Sequence, residues 1–206
     1  MLVDNAGTRA VIGDNPNTET PEERHASLQL AKRNAQINYY GYIYGQKSSK
    51  YSNMPFGLST VGKSGCGLIA CYDSMLSIGQ AVSFEHTLAY FDNLFRYGHG
   101  YWAFGLLGVT SHQVGRFLED HGVAYKSIST IEEFNAISSP GTFIVKYWNS
   151  DSVFDGQHYV CMQYYGNNSY VVFNQFNDST DSKPRSSIYE VIGDGRRFID
   201  AFYIQW

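Results

Sequence analysis

Apolar residues recur at helical spacing through Leu68, Ile69, Tyr72, Met75 and Leu76, and the pattern stops at Gly79. That predicts a helix closed by a glycine at its C′ position. Capping signals place further helices around it. "TPEERHASLQLAKRNAQ" begins with Thr20 as N-cap, Pro21 at the first helical position and Glu23 reaching back, and predicts a helix of about four turns. Ser83 opens another that runs to about Tyr97, and Thr110 with Gln113 opens one that ends at His121-Gly122. Thr130, with Glu133 closing a capping box, opens a short one that breaks at "SSPG". Beyond Gly122 the pattern changes to β-branched and aromatic runs separated by Gly, Asn, Asp and Ser. "VAYKSI", "TFIVKYW", "HYVCMQYY", "YVVFNQF", "IYEVI" and the terminal "RRFIDAFYIQW" read as strands. Helices precede strands without strict alternation, which predicts an α+β domain with an antiparallel sheet. Residues 1–19 are polar and aperiodic and read as a flexible arm, 20–206 as a single domain, and the turn-rich stretch 41–62 as a covering loop.

Composition narrows the classes of function. The 206 residues are 43% hydrophobic and 17% charged, which suits one globular core. A net charge of -4 with scattered Lys and Arg gives no footprint for a nucleic-acid partner. No stretch reaches the length of a membrane span, and the N-terminus lacks a basic start and an apolar h-region, so a soluble chain without an export signal is expected. Absence of a signal peptide points to the cytoplasm, whereas a low-charge surface rich in Tyr, Asn and Ser also suits work outside a cell. The spacing of Cys66, Cys71 and Cys161 matches neither a disulfide framework nor a zinc site, so no metal or cofactor is expected and at least one thiol should be free. A Cys66–Cys71 bridge within one helix is disfavoured by disulfide geometry.

Cys66 stands between Gly65 and Gly67 at the head of the central helix. Free cysteines are usually small buried residues. At a helix N-terminus, however, unsatisfied N–H groups and the macrodipole favour a thiolate and lower the thiol pKa. The flanking glycines would leave room for a substrate backbone, and the Cys66 amide could donate to an oxyanion. Among the histidines, His25, His112 and His121 fall on amphipathic helices as solvated or terminal residues, and His86 and His99 have no evident partner. His158 differs, because it follows a loop and opens a strand that can face that helix N-terminus. A base needs an orienting group. Asn174, Asn177 and Asp178 are the candidates, and loop parity separates the two asparagines. A two-residue turn at Asn167-Asn168 sets His158 opposite Asn177, whereas a three-residue loop with a left-handed bulge brings Asn174 onto the His158 face diagonally.

"SGCGLIACYDSM", "GQHYVCMQYYGNNSYVVFNQF" and the order Cys, His, Asn resemble the papain-like cysteine peptidases, in particular the bacterial C39-like peptidases. The likeness covers about residues 55 to 178. It implies a central helix packed on a C-terminal antiparallel sheet, Cys66 as nucleophile, His158 as general base and acid, Asn174 as orienter and Phe176 as an aromatic shield. It further implies a peptide or protein substrate cleaved through a thioester. One departure stands out: the family carries Gln six residues before the nucleophile, and this chain has Thr60. Loss of such an oxyanion donor costs ~10²–10³ in rate. Thr60, Ser59 or Gln46 is left to take that place. The same triad would serve an acyltransferase or deamidase, and the rival from another class is a non-catalytic binding module on the same scaffold. "GYWAFGLLGV", residues 100–109, supplies aromatics for either a core or a cleft.

Overall fold

The computed structural model describes residues 41–80, 82–92, 108–149, 156–167, 169–175, 184–185, 187–193 and 196–206. The N-terminal arm, the helix expected from Thr20, His25, His99, residues 100–107, Phe176, Asn177 and Asp178 lie outside them.

A two-stranded hairpin, β1 (Pro55–Phe56) and β2 (Ser59–Thr60), leads into the short helix α1 (Val61–Ser64). After Gly65 comes the central helix α2 (Cys66–Ser77), followed by α3 (Phe84–Phe91) and α4 (Ser111–Asp120). The second half holds β3 (Lys126–Ile128), α5 (Ile131–Asn135), β4 (Gly141–Trp148), β5 (Gln157–Tyr164), β6 (Tyr170–Phe173), β7 (Pro184–Arg185), α6 (Ile188–Ile192) and β8 (Arg197–Gln205). Among the described residues the sheet has six strands in the order β3-β8-β4-β5-β6-β7, and every pairing is antiparallel. The chain is thus an α+β protein with its central helix on an antiparallel sheet.

Alternation along the strands makes two apolar layers. Ile144, Tyr159, Cys161, Phe173, Phe202 and Ile204 face α2, α3 and α4. Phe143, Val145, Tyr147, Val160, Met162 and Tyr203 face the opposite way, where Phe134 of α5 and Ile188 and Ile192 of α6 cover them. Helix α2 is buried from Gly67 to Met75 and lies chiefly along β5. Its C-terminus is a Schellman motif: the Gln80 N–H donates to the Met75 carbonyl, the Gly79 N–H donates to that of Leu76, and Gly79 has φ 73°. The Thr110–Gln113 capping box is present in full, and His121-Gly122 closes α4.

Several sequence expectations need correction. "IYEVI" is the helix α6, not a strand: Ser187 Oγ accepts from the Glu190 N–H, and Ile188 and Ile192, one turn apart, turn inward while Tyr189 and Glu190 stay exposed. The stretch 41–62 contains a hairpin and the start of a helix. Helix α3 ends at Phe91, with Asp92 as its C-cap. Thr130 caps α5, but Glu133 Oε2 accepts from the N–H of Ser129 rather than from that of Thr130. No helix among the described residues is long and apolar enough to cross a membrane.

Candidate active site

Cys66 is the first residue of α2, with Gly65 as N-cap. The preceding helix α1 ends at Ser64, so the chain turns within one residue and presents Cys66 at the head of a new helix. Neither glycine opens space for a substrate, as the sequence had suggested: Gly65 serves the turn and Gly67 the close packing of α2. A Cβ on Gly65 would lie 2.6 Å from the Val61 carbonyl oxygen; one on Gly67 would overlap Val109 and press on the Tyr159 ring. Of the three free cysteines, Cys66 alone has access to solvent; Cys71 and Cys161 are buried.

The thiol does not follow the helix-terminus argument in net direction. Burial pushes it above the ordinary cysteine value, against the backbone amides of Tyr159, Gly67 and Cys66 itself and the charge of Lys146, which pull it down. The amide contact with Tyr159 sets the sulfur beside the residue that follows His158.

His158 is buried near the start of β5. Its Nε2 lies 2.7 Å from the main-chain carbonyl of Asn174. A carbonyl only accepts, so Nε2 carries the proton and the neutral ring keeps its lone pair on Nδ1. The Tyr147 ring stands edge-on to the imidazole with centroids 5.6 Å apart.

The β5–β6 register selects between the two loop geometries. Tyr164 pairs with Tyr170 and Cys161 with Phe173, while Gly166 and Asn167 both have positive φ. This is the bulged-loop alternative, which puts Asn174 on the His158 face. Asn174 itself follows the last paired residue of β6 and adopts φ 60°, a left-handed conformation that asparagine tolerates. Its side chain does not reach the imidazole: Nδ2 donates to the Tyr159 carbonyl at 3.4 Å, and Oδ1 is buried without a partner. The main chain of Asn174 therefore makes the contact expected of its amide.

The three candidates for a second oxyanion donor are distributed differently. Thr60 is the N-cap of α1 without a side-chain cap bond, and Ser59 pairs with Phe56 in the hairpin. Gln46 is buried, and its Nε2 donates to the Gly62 carbonyl at 3.1 Å, one turn before Cys66. Its Oε1 has no partner.

A polar group missed in the sequence stands behind the thiol. Lys146, Tyr159 and Asp200 face α4, where Ser111 Oγ donates to Asp200 at 2.6 Å and Lys146 Nζ donates to Ser111 at 3.1 Å. The available signal was the lysine in "TFIVKYW": β4 is buried on both faces, so any charge on it must find a partner inside the fold. His86 and His121, expected to be unrelated, meet with Nε2 atoms 2.6 Å apart. The His121 Nδ1–H donates to the Phe117 carbonyl, so the proton between the rings belongs to His86 when both are neutral. Among the described residues no group of three or more His, Cys, Asp or Glu is arranged to hold a metal ion.

No family model matches the chain, and no curated protein sequence does. Among solved structures the chain is similar to the peptidase domain of Streptococcus ComA, a bifunctional ABC transporter involved in a quorum-sensing pathway. The identity is 15% and the TM-score 0.44, over 81% of this chain and 100% of that one.

Proposed function

We propose that this chain is a papain-like cysteine peptidase of the C39-like kind, in which residues 20–206 form the catalytic domain and Cys66, His158 and Asn174 act together. The reading rests on one observation above the others: His158 is held as its Nε2–H tautomer by Asn174, next to the Tyr159 amide that points at the Cys66 sulfur.

In this scheme Nδ1 of His158 takes the Cys66 proton, and the thiolate attacks the carbonyl carbon of a peptide bond. The oxyanion forms at the head of α2, where the Cys66 amide donates to it. The imidazolium then protonates the departing amine, leaving a thioester on Cys66. Water, deprotonated by the same histidine, releases the acid. Gln46 is the better second donor than Thr60, because its amide is already held inside the fold one turn before the nucleophile.

A peptide library assayed with the wild-type chain and with Cys66→Ala tests the proposal. Turnover that disappears in the variant agrees with it; turnover that persists refutes it. If an amine replaces water as acceptor, the product mass reveals a transferase on the same machinery. Burial of the thiol favours a second reading, a binding module whose Cys66 stays un-ionised. Peptide affinity equal in wild type and Cys66→Ala, with turnover in neither, would select it.

A further inference from the structure

The sheet face beneath α2 and α4 carries polar residues in two rows, Thr142 with Gln163 against the end of α2 and a charged row beside Cys66. Asp200 on β8, Lys146 on β4 and Tyr159 on β5 are direct neighbours in the register, at the place where the β4–β8 pairing shifts past Lys146. Lys146 is only 8% exposed, which makes its position costly for an ammonium unless it is paired. The pairing runs through Ser111, the first residue of α4. Its single proton goes to Asp200 Oδ2, so its oxygen accepts from Lys146 Nζ at 3.1 Å and from the Tyr159 hydroxyl at 3.3 Å. The hydroxyl is thereby saturated, and the ammonium is fixed 5.3 Å from the centre of the Tyr159 ring.

Tyr159 connects this row to Cys66. Its main-chain amide faces the sulfur, and its ring packs against Gly67, the residue after Cys66. Thiol and ammonium are thus held on the same residue from different elements. Ser111, rather than a direct ion pair, joins Lys146 to Asp200, and charge taken out of water adds little net stability over apolar packing, so the row is poorly explained as a brace.

We propose that Lys146 is a positioning residue for Cys66: fixed beneath Tyr159 by Ser111 and Asp200, its ammonium favours ionised sulfur, and Asp200 moderates the effect. The inference rests on the reading of Cys66 as the nucleophile. The groups that bear on the pair come from several adjoining elements: Asp200 from β8, Tyr147 from β4 with Arg196 over its ring, and Tyr159 from β5, which also faces Cys71 of α2. Helix α4 contributes Ser111, and its His112, Arg116 and Glu119 line the surface cleft that Asp200 shares. Burial lowers the lysine from its ordinary value, while Asp200 and Cys66 both act to raise it, in keeping with a mutual attraction between ammonium and sulfur.

Alkylation of Cys66 by iodoacetamide, followed against pH in the full chain with the site identified by mass spectrometry, reads the effect directly. Lys146→Met should move the midpoint upward and slow alkylation on the acid limb by about tenfold, one pH unit. Lys146→Arg should keep the wild-type midpoint, because it keeps the charge. Asp200→Asn should move the midpoint downward, because it leaves the ammonium uncompensated. Opposite shifts from two neutralising changes are not produced by simple damage to the fold. An unchanged midpoint in a cooperatively folding Lys146→Met chain, or shifts of the same sign in Lys146→Met and Asp200→Asn, overturns the proposal. Should Lys146→Met not fold, an unchanged or raised midpoint in Asp200→Asn overturns it alone. A chain that shows these shifts yet cleaves no peptide retires the peptidase reading only; a peptide-cleaving chain without them retires this inference only.

Discussion

Asn174 makes two demands on one residue. Its backbone must enter the left-handed region at φ 60° to deliver a carbonyl to His158, and its amide reaches the Tyr159 carbonyl. The first demand is a matter of conformation, so glycine should meet it where alanine does not. Asn174→Ala is therefore expected to lose about 1 kcal/mol more stability than Asn174→Gly, and the glycine variant to retain the greater turnover. Equal loss of turnover in both would return the orienting role to the side-chain amide. At the same scale, removing the Gln46 amide tests the second oxyanion donor. Gln46→Ala should reduce kcat by ~10²–10³ with peptide affinity little changed, whereas Thr60→Val should leave kcat near wild type. The reverse ranking, measured by steady-state kinetics, would restore Thr60.

At the scale of elements, two glycines on either end of α2 separate packing from conformation. Gly79 has φ 73° and open space around it, so Gly79→Ala should cost about 1 kcal/mol in thermal or denaturant unfolding without changing Cys66 reactivity. Gly67 has an ordinary φ but no room, so Gly67→Ala must displace Val109 or the Tyr159 ring and should slow Cys66 alkylation as well as destabilise the fold. Equal alkylation rates in the two variants would count against the tight seat of α2 on Tyr159. Elements defined by local chemistry were legible in the sequence: the Gly79 stop, the Thr110 capping box, and strands β4, β5 and β8 all follow from residues adjacent in the chain. The β5–β6 register was reduced to two choices by parity, and the loop geometry chose one. The failures have physical causes. "IYEVI" has strand-like residues, but Ser187 and Glu190 supply a helix cap, and burial of two isoleucines one turn apart outweighs intrinsic preference. The Ser111–Lys146–Tyr159–Asp200 group joins three strands and a helix, so no window of sequence contains it.

At the scale of the whole molecule, charge buried beneath the central helix should govern how stability depends on pH. Asp73 is fully buried in α2; burial pushes its carboxyl well above the ordinary value, against the one hydrogen bond from the Ile43 N–H, and Oδ2 has no partner. A carboxyl raised in the folded state contributes stability that is present below its unfolded pKa of about 3.9 and is lost as pH rises through the folded value. Asp73→Asn is expected to flatten that decline and to be more stable than wild type at alkaline pH, as measured by denaturant unfolding across pH. A parallel decline in both chains would assign the pH dependence elsewhere. The same burial bears on function, because it outweighs the Lys146 charge and the surrounding amides, so in the proposed mechanism ionisation of the sulfur at pH 6 depends on transfer of its proton to His158. Stoichiometric labelling of the native chain with iodoacetamide at pH 6 is the most direct measurement. The account predicts one adduct per chain, on Cys66 alone, and its loss in His158→Ala; labelling that is absent, or shared equally among Cys66, Cys71 and Cys161, would contradict it.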